Sequence, residues 1–216
     1  MCPRGLNIKH GGKPLTNKMG LENREGGNYI TILQGKFCQR VPEGTVGAIQ
    51  RTNKLGNVVW EKFYDSFEAK LVGVRTQDGA YGKSWMFDFQ DNEEVYHLQL
   101  SFSNSFATAF LKMLPNIDVT KKMKLQPSVK LIDGKNKSSL FVNQNGASIK
   151  HAFTRDNPNG LPPMEQVTIK GVQVWDDTAQ LEFLQNMVMT TIVPRLDAPL
   201  TPLETPAPAT AQPDDF

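Results

Sequence analysis

The side chains of this 216-residue chain that could take part in chemistry are aromatic rings and lysines rather than catalytic groups. The sequence contains no Walker loop, no Gly-x-Ser-x-Gly elbow, no His-Glu-x-x-His motif and no Cys-x-x-Cys pair. Glu93-Glu94 lies beside a turn and Asp176-Asp177 precedes a predicted helix, so surface charge and the helix dipole explain both acidic pairs. We therefore expect that the protein is not an enzyme and has no catalytic residue, metal or cofactor.

Aromatic and basic residues are interleaved along the middle of the chain. Together they favour binding of single-stranded nucleic acid, because rings stack on bases while cations follow the phosphates. Trp60, Tyr64 and Tyr81 are the best stacking candidates, since polar residues or turns flank each of them. The residues predicted to bind the single strand are Trp60, Lys62, Tyr64, Lys70, Arg75, Tyr81, Lys83, Trp85, Lys130, Lys135, Lys137 and Phe141.

Trp85 has two interpretations, because Trp85, Phe87 and Phe89 share one face of a predicted strand. All three rings point either into the core or outward. The core is favoured, since aromatic side chains dominate β-sheet cores.

The elements that must position these residues are mainly strands. Alternation of apolar and polar residues predicts three strands at 67–76, 84–90 and 95–102. A helix at 105–114 follows, where apolar residues recur at helical spacing. Further strands are predicted at 29–33, 36–41, 58–64, 124–132, 139–143, 148–154 and 166–172, with a second helix at 177–193 and a lysine-rich loop at 133–137.

The order of these elements is typical of the OB-fold, a five-stranded Greek-key β-barrel with a helix between strands 3 and 4. We therefore predict a mainly β protein, an OB-fold with extra terminal strands and a C-terminal helix. A β-sandwich or a β-grasp domain has a similar composition, and both alternatives stay open.

Charge is distributed unevenly along the chain. The formal net charge is +2, yet residues 1–196 carry 24 basic and 18 acidic residues, and residues 197–216 carry four acidic residues and no basic one. We predict three regions: a flexible basic N-terminal arm at 1–28, the folded domain at 29–193, and a disordered proline-rich linker with an acidic tail at 194–216.

Two cysteines are too few for a disulfide framework, and no apolar run approaches the roughly 18 residues of a membrane span. The N-terminus lacks the apolar stretch of a signal peptide. We expect a cytoplasmic protein without membrane contact.

A linker rich in Pro, Ala and Thr that ends in Asp214, Asp215 and Phe216 resembles the C-terminus of bacterial and phage single-stranded DNA-binding proteins. The resemblance implies an OB-fold that binds single strands independently of sequence in DNA replication, recombination and repair. It also implies that the acidic tip binds partner proteins such as a polymerase, a helicase or a nuclease. The additional elements after residue 154 suggest a phage-type member, which would act in the bacterial host cytoplasm.

Other interpretations remain open at this point. One is an RNA-binding or structural OB or β-sandwich module for protein interaction, and another is a metal-dependent nuclease. The oligomeric state also stays open, with a homo-oligomer among the alternatives.

Overall fold

The computed structural model describes residues 27–53, 56–80 and 82–196. In these residues ten strands form one mixed sheet and two more form a separate hairpin. The strands are β1 Asn28–Leu33, β2 Lys36–Val41, β3 Ile49–Thr52, β4 Val58–Tyr64, β5 Phe67–Gly79, β6 Gly82–Asp91, β7 Glu94–Ser101, β8 Lys122–Ile132, β9 Lys135–Gln144, β10 Ala147–Ser148, β11 Glu165–Ile169 and β12 Val172–Asp176. The helices are α1 Ser105–Met113 and α2 Thr178–Met187.

The strand order in the large sheet is β10-β9-β8-β5-β6-β7-β1-β2-β4-β3, and every described pair is antiparallel except β1 with β7. The mainly β prediction is confirmed. The sheet is not closed into a barrel, so the closed five-stranded barrel was not found. The edge of β7 that would be needed for closure is taken by β1, which the sequence placed among the extra strands.

Helix α1 begins where the sequence predicted a helix. The Asn104 side chain caps it, since its Oδ1 accepts from the backbone N–H of Phe106 at 2.8 Å. Apolar residues recur at helical spacing along α1, and two of them, Phe110 and Leu111, are buried against the sheet. The chain continues into a 3₁₀ turn at Leu114–Asn116, where Pro115 ends the α-helical pattern.

The hairpin between β8 and β9 is tighter than the sequence suggested. Asp133 and Gly134 alone form the turn, with φ of 51° and 71°, as expected of an Asp-Gly pair. The prediction of a lysine-rich loop at 133–137 was wrong, because Lys135 and Lys137 already pair with β8. These two lysines are therefore held at fixed positions on a strand.

Two other strand predictions need correction, and one strand was not predicted. The strand at 148–154 ends at Ser148, after which the chain is irregular. The strand at 166–172 is instead the hairpin β11–β12, which turns at Lys170-Gly171 with φ of 49° and 80°. The short strand β3 was not predicted, because four exposed residues carry no alternation.

The core lies between one face of the sheet and the two helices. Trp85, Phe87 and Phe89 on β6 are fully buried there, and the ring of Phe87 meets that of Phe110 edge-on at 5.2 Å. We call the opposite side of the sheet the outer face; it carries the alternate residues, such as Arg75, and extends from β9 to β3. Within the described residues, no helix is long and apolar enough to cross a membrane.

Candidate nucleic-acid interface

The hairpin β8–β9 presents a row of lysines around one exposed ring. On the outer face Lys130 lies directly opposite Lys137, and Phe141 lies opposite Gln126. We define the lysine face as Lys124, Lys130, Lys135, Lys137 and Phe141. Successive side chains of β8 and β9 point to opposite faces, so residues such as Leu125 and Val142 enter the core. Nearer the turn, residues 130–132 and 135–139 are exposed on both faces.

The lysine face has a strong positive charge. Strands β8 and β9 together contain five lysines and no acidic residue. Lys122 pairs with Asp91 at 2.7 Å. Among the residues that the structure describes, no carboxylate forms an ion pair with the four lysines of the lysine face, although Glu68 of β5 lies directly opposite Lys124. These ammonium groups are therefore available to an anionic partner.

Phe141 is the aromatic ring of this surface. Its side chain is 47% exposed although it lies in the middle of a long strand. Its strand neighbours Leu140 and Val142 are buried, so the backbone that carries the ring is fixed. An exposed ring on a rigid strand between lysines can stack on a base without sequence preference.

A groove of about 730 Å³ lies further along the same outer face. Tyr29 and Arg40 line it on one side, and Lys83 and Gln99 on the other. Its remaining lining is Ile30, Thr31, Leu33, Cys38, Arg51, Glu61, Gly79, Ala80, Gly82, Ser84 and Ser101. The sequence did not single out Tyr29 or Arg40, because β1 reaches this place only by pairing with β7, which is distant in sequence.

Arg75 was predicted to bind phosphate, but its guanidinium already has a partner. It pairs with Asp88, whose carboxylate is 1% exposed. The other oxygen of that carboxylate lies 2.5 Å from Nδ1 of His97. Because a buried carboxylate holds this cation, Arg75 contributes less to an anion site than its charge suggests.

A second ion pair organises the floor of the groove. Arg51 Nε and Nη2 donate to the two carboxylate oxygens of Glu61, each at 2.7 Å, while Glu61 is 2% exposed. The hydrogen bond from Arg51 lowers the pKa of Glu61. Burial, followed by the charge of Glu61, raises the pKa of the Cys38 thiol to about 11. Arg40 lies opposite Glu61 on β2 and is exposed.

Trp60, Lys62 and Tyr64 share one face of β4, which is the face opposite to the groove. The Lys62 Nζ lies 5.6 Å from the centroid of the Tyr64 ring, and the Tyr64 hydroxyl donates to Oε1 of Gln39 at 3.3 Å. Tyr64 is 38% exposed and Trp60 is half-buried. A cavity of about 360 Å³ is lined by both Tyr64 and Lys124, together with the carboxylates of Glu68 and Asp91.

Two predicted residues belong to the core side of β6. Trp85 is 0% exposed, with its ring stacked 5.4 Å from that of Phe102. Its assignment to DNA binding was wrong, because no base can reach a ring inside the core. The Nζ of Lys83 donates to Gln185 at 2.8 Å and lies 4.5 Å from the centre of the Phe102 ring, although Lys83 also lines the groove.

The remaining predicted residues are dispersed or cannot be assigned a place. Lys70 lies on the outer face of β5, opposite Lys122 of β8. Tyr81 and the acidic tip at Asp214, Asp215 and Phe216 lie outside the described residues. Among residues 27–53, 56–80 and 82–196, no three His, Cys, Asp or Glu side chains are placed to hold a metal ion.

Comparisons with known proteins add no relationship: no family model, curated protein or solved structure matches the chain significantly.

Proposed function

We propose that this protein binds single-stranded DNA independently of sequence, and that the lysine face is its primary contact surface. The observation that carries the proposal is the exposed Phe141 among four lysines on two strands that contain no acidic residue. Lysines at fixed strand positions neutralise phosphates, and the ring stacks on one base. Neither contact reads the edge of a base, so the binding does not depend on sequence.

The rest of the interface extends from this surface in two directions. Lys124 lines a cavity together with Tyr64, and Lys62 lies over the Tyr64 ring, which supports a continuation of the bound DNA in this direction. The groove near Tyr29 lies on the same outer face as the lysine face and offers a second path.

The finer fold assignment is also part of the proposal. We infer that β5–β9 with α1 are an OB-fold whose closing pair is replaced by the insertion of β1. The pairing order β9-β8-β5-β6-β7 and the helix between β7 and β8 support this assignment. The acidic tip at residues 214–216 is proposed to bind replication and recombination proteins, as the resemblance of the tail implies.

The proposal is tested by fluorescence titration with poly-dT, a duplex of equal length and poly-rU at the same salt concentration. We expect poly-dT to bind at least about tenfold more tightly than the duplex, because only an unpaired base can stack on Phe141. A duplex that binds as tightly as poly-dT would refute the proposal. Tighter binding of poly-rU would favour an RNA-binding protein instead.

A protein-interaction module is the second candidate, and the hairpin β11–β12 favours it. In the described part of the chain these two strands pair only with each other. Val172 is 62% exposed and Trp175 is 64% exposed. Val172 lies on the same face of β12 as the exposed Val174, and neighbouring exposed apolar side chains of this kind mark contact surfaces. If the protein binds neither poly-dT nor poly-rU, this candidate takes precedence.

A further inference from the structure

A cavity of about 460 Å³ lies between α1, the irregular segment at 153–163 and α2. Its lining is Lys112, Phe153, Thr154, Arg155, Pro158, Leu161, Pro162, Pro163 and Gln180. Basic and polar groups therefore face the same space as an apolar wall of prolines, Leu161 and Phe153. The volume lies within the range of small-molecule sites.

The walls of this cavity are held by contacts between all three segments. The backbone N–H of Ala152 donates to the carbonyl of Lys112 at 2.8 Å, which fixes the irregular segment on α1. The Gln180 amide donates to the carbonyl of Pro162 at 2.7 Å, which fixes it on α2. The rings of Phe153 and Phe183 meet edge-on at 5.7 Å. The cavity is thus preformed.

Two cations line this cavity, Lys112 and Arg155. Lys112 is half-buried, and its Nζ donates to Oε1 of Gln180 at 3.3 Å. Within the described residues, neither Lys112 nor Arg155 forms an ion pair with a carboxylate. Burial lowers the pKa of Lys112, although the charge of Asp177 opposes this effect. Burial and the charge of Lys112 also lower the pKa of His151.

We propose that this cavity binds a phosphate monoester that carries a ring, such as a nucleoside monophosphate or the 5′-phosphorylated end of a DNA strand. A phosphate monoester has a charge of about −1.5 to −2 at neutral pH, which matches two cations better than a single carboxylate does. The guanidinium of Arg155 can hold two phosphate oxygens, with Lys112 as the second cation. The prolines and Leu161 then contact the sugar and the base.

Isothermal titration calorimetry with dTMP, thymidine and inorganic phosphate tests this site. We expect dTMP to bind and thymidine to bind at least about tenfold more weakly, since it lacks the charge-assisted hydrogen bonds. Lys112→Met combined with Arg155→Gln should weaken dTMP binding by at least about tenfold. Lys150→Met is the matched control, because it removes an exposed lysine that does not line the cavity.

The site is independent of the lysine face, so the same titration in a Lys130→Glu, Lys137→Glu background should give unchanged dTMP binding. In that background, 5′-phosphorylated and unphosphorylated oligo-dT separate the two sources of the ligand. Tighter binding of the phosphorylated strand identifies a DNA end, and equal binding identifies a free nucleotide. Arg155→Gln alone covers the case in which the double variant does not fold, because Arg155 is exposed. The proposal is overturned if dTMP does not bind, if thymidine binds equally well, or if the folded cavity variants keep full affinity.

Discussion

Lys130 and Lys137 are directly opposite each other in the antiparallel pair of β8 and β9, on the outer face of the sheet. Like charges at directly opposite positions destabilise a sheet. No described carboxylate offsets this repulsion. The Lys130–Lys137 pair therefore lowers the stability of the sheet, whereas a pair of opposite charges would raise it. This arrangement is consistent with a surface that serves to bind an anion.

Reversing one of these charges should therefore separate stability from binding. Lys137→Glu replaces a repulsive cross-strand pair by an attractive one, so we expect the free energy of unfolding to rise by roughly 0.5–1 kcal/mol. The affinity for poly-dT should fall. Urea denaturation and fluorescence titration measure the two effects. Lys150→Glu is the control, since the carbonyl of Lys150 accepts from Asn116 beside α1 and the residue is not part of the lysine face. A loss of stability in Lys137→Glu, or unchanged poly-dT affinity, would contradict the assignment.

The two large rings Phe141 and Trp85 should behave in opposite ways when each is changed to alanine. Phe141 is 47% exposed, so Phe141→Ala should change the free energy of unfolding by less than about 1 kcal/mol. It should weaken poly-dT binding by about 1–3 kcal/mol, the cost of one stacked base. Trp85 is fully buried, so Trp85→Ala should cost about 3–5 kcal/mol of stability. Thermal unfolding and titration of both variants provide the comparison. If the Phe141→Ala protein binds poly-dT with wild-type affinity, Phe141 does not contact the DNA.

The ion pair between Arg51 and Glu61 predicts how stability depends on acid. The hydrogen bond from Arg51 lowers the pKa of Glu61 in the folded protein below its unfolded value near 4.5. The unfolded state then binds more protons in this range, so the stabilisation is present above about pH 4.5 and is lost as the pH falls through the lower folded pKa. Glu61→Gln should flatten this part of the stability curve. Urea denaturation between pH 3 and pH 6 measures it, and a wild-type slope in the variant would argue against the effect.

The acidic tip gives a prediction about competition with DNA. Deletion of Asp214, Asp215 and Phe216, which lie outside the described residues, removes two side-chain carboxylates and an aromatic ring. We expect poly-dT affinity at low salt to stay equal or to increase, because fewer anionic groups compete for the lysines. Replacement of Thr210, Ala211 and Gln212 by serine is the control, because it alters the same region without changing the charge of the wild-type protein. A clear loss of affinity after the deletion would contradict this role for the tip.

Local sequence patterns predicted the individual strands and helices well, but they did not predict how these elements assemble into the sheet. The alternation along β6 and β7 and the helical spacing of apolar residues in α1 depend on neighbouring residues, so the sequence alone revealed them. The parallel pairing of Tyr29 with His97 joins residues 68 positions apart in the chain, and no local pattern encodes it. This pairing leaves the sheet open and brings Tyr29 to the groove.

The candidate site likewise has features that the sequence predicted and features that depend on the assembly of the strands. Lys130, Lys137 and Phe141 share a face because of strand periodicity, and Phe141 is exposed because it alternates with the buried Leu140 and Val142. The pairing of Arg75 with Asp88 depends on the register of β5 against β6, which includes a bulge between Leu71 and Gly73. Register across a bulge cannot be deduced from either strand alone.

The most direct test of the central proposal is the salt dependence of poly-dT binding in the wild type and in a Lys130→Gln, Lys137→Gln variant. If both lysines contact phosphates, the logarithm of the association constant should fall with the logarithm of salt concentration, with a slope that is shallower in the variant by about 1.4, or about 0.7 per lysine. The Lys150→Gln control should keep the wild-type slope. An unchanged slope in the double variant, or wild-type binding that salt does not weaken, would show that the lysine face does not bind the DNA backbone.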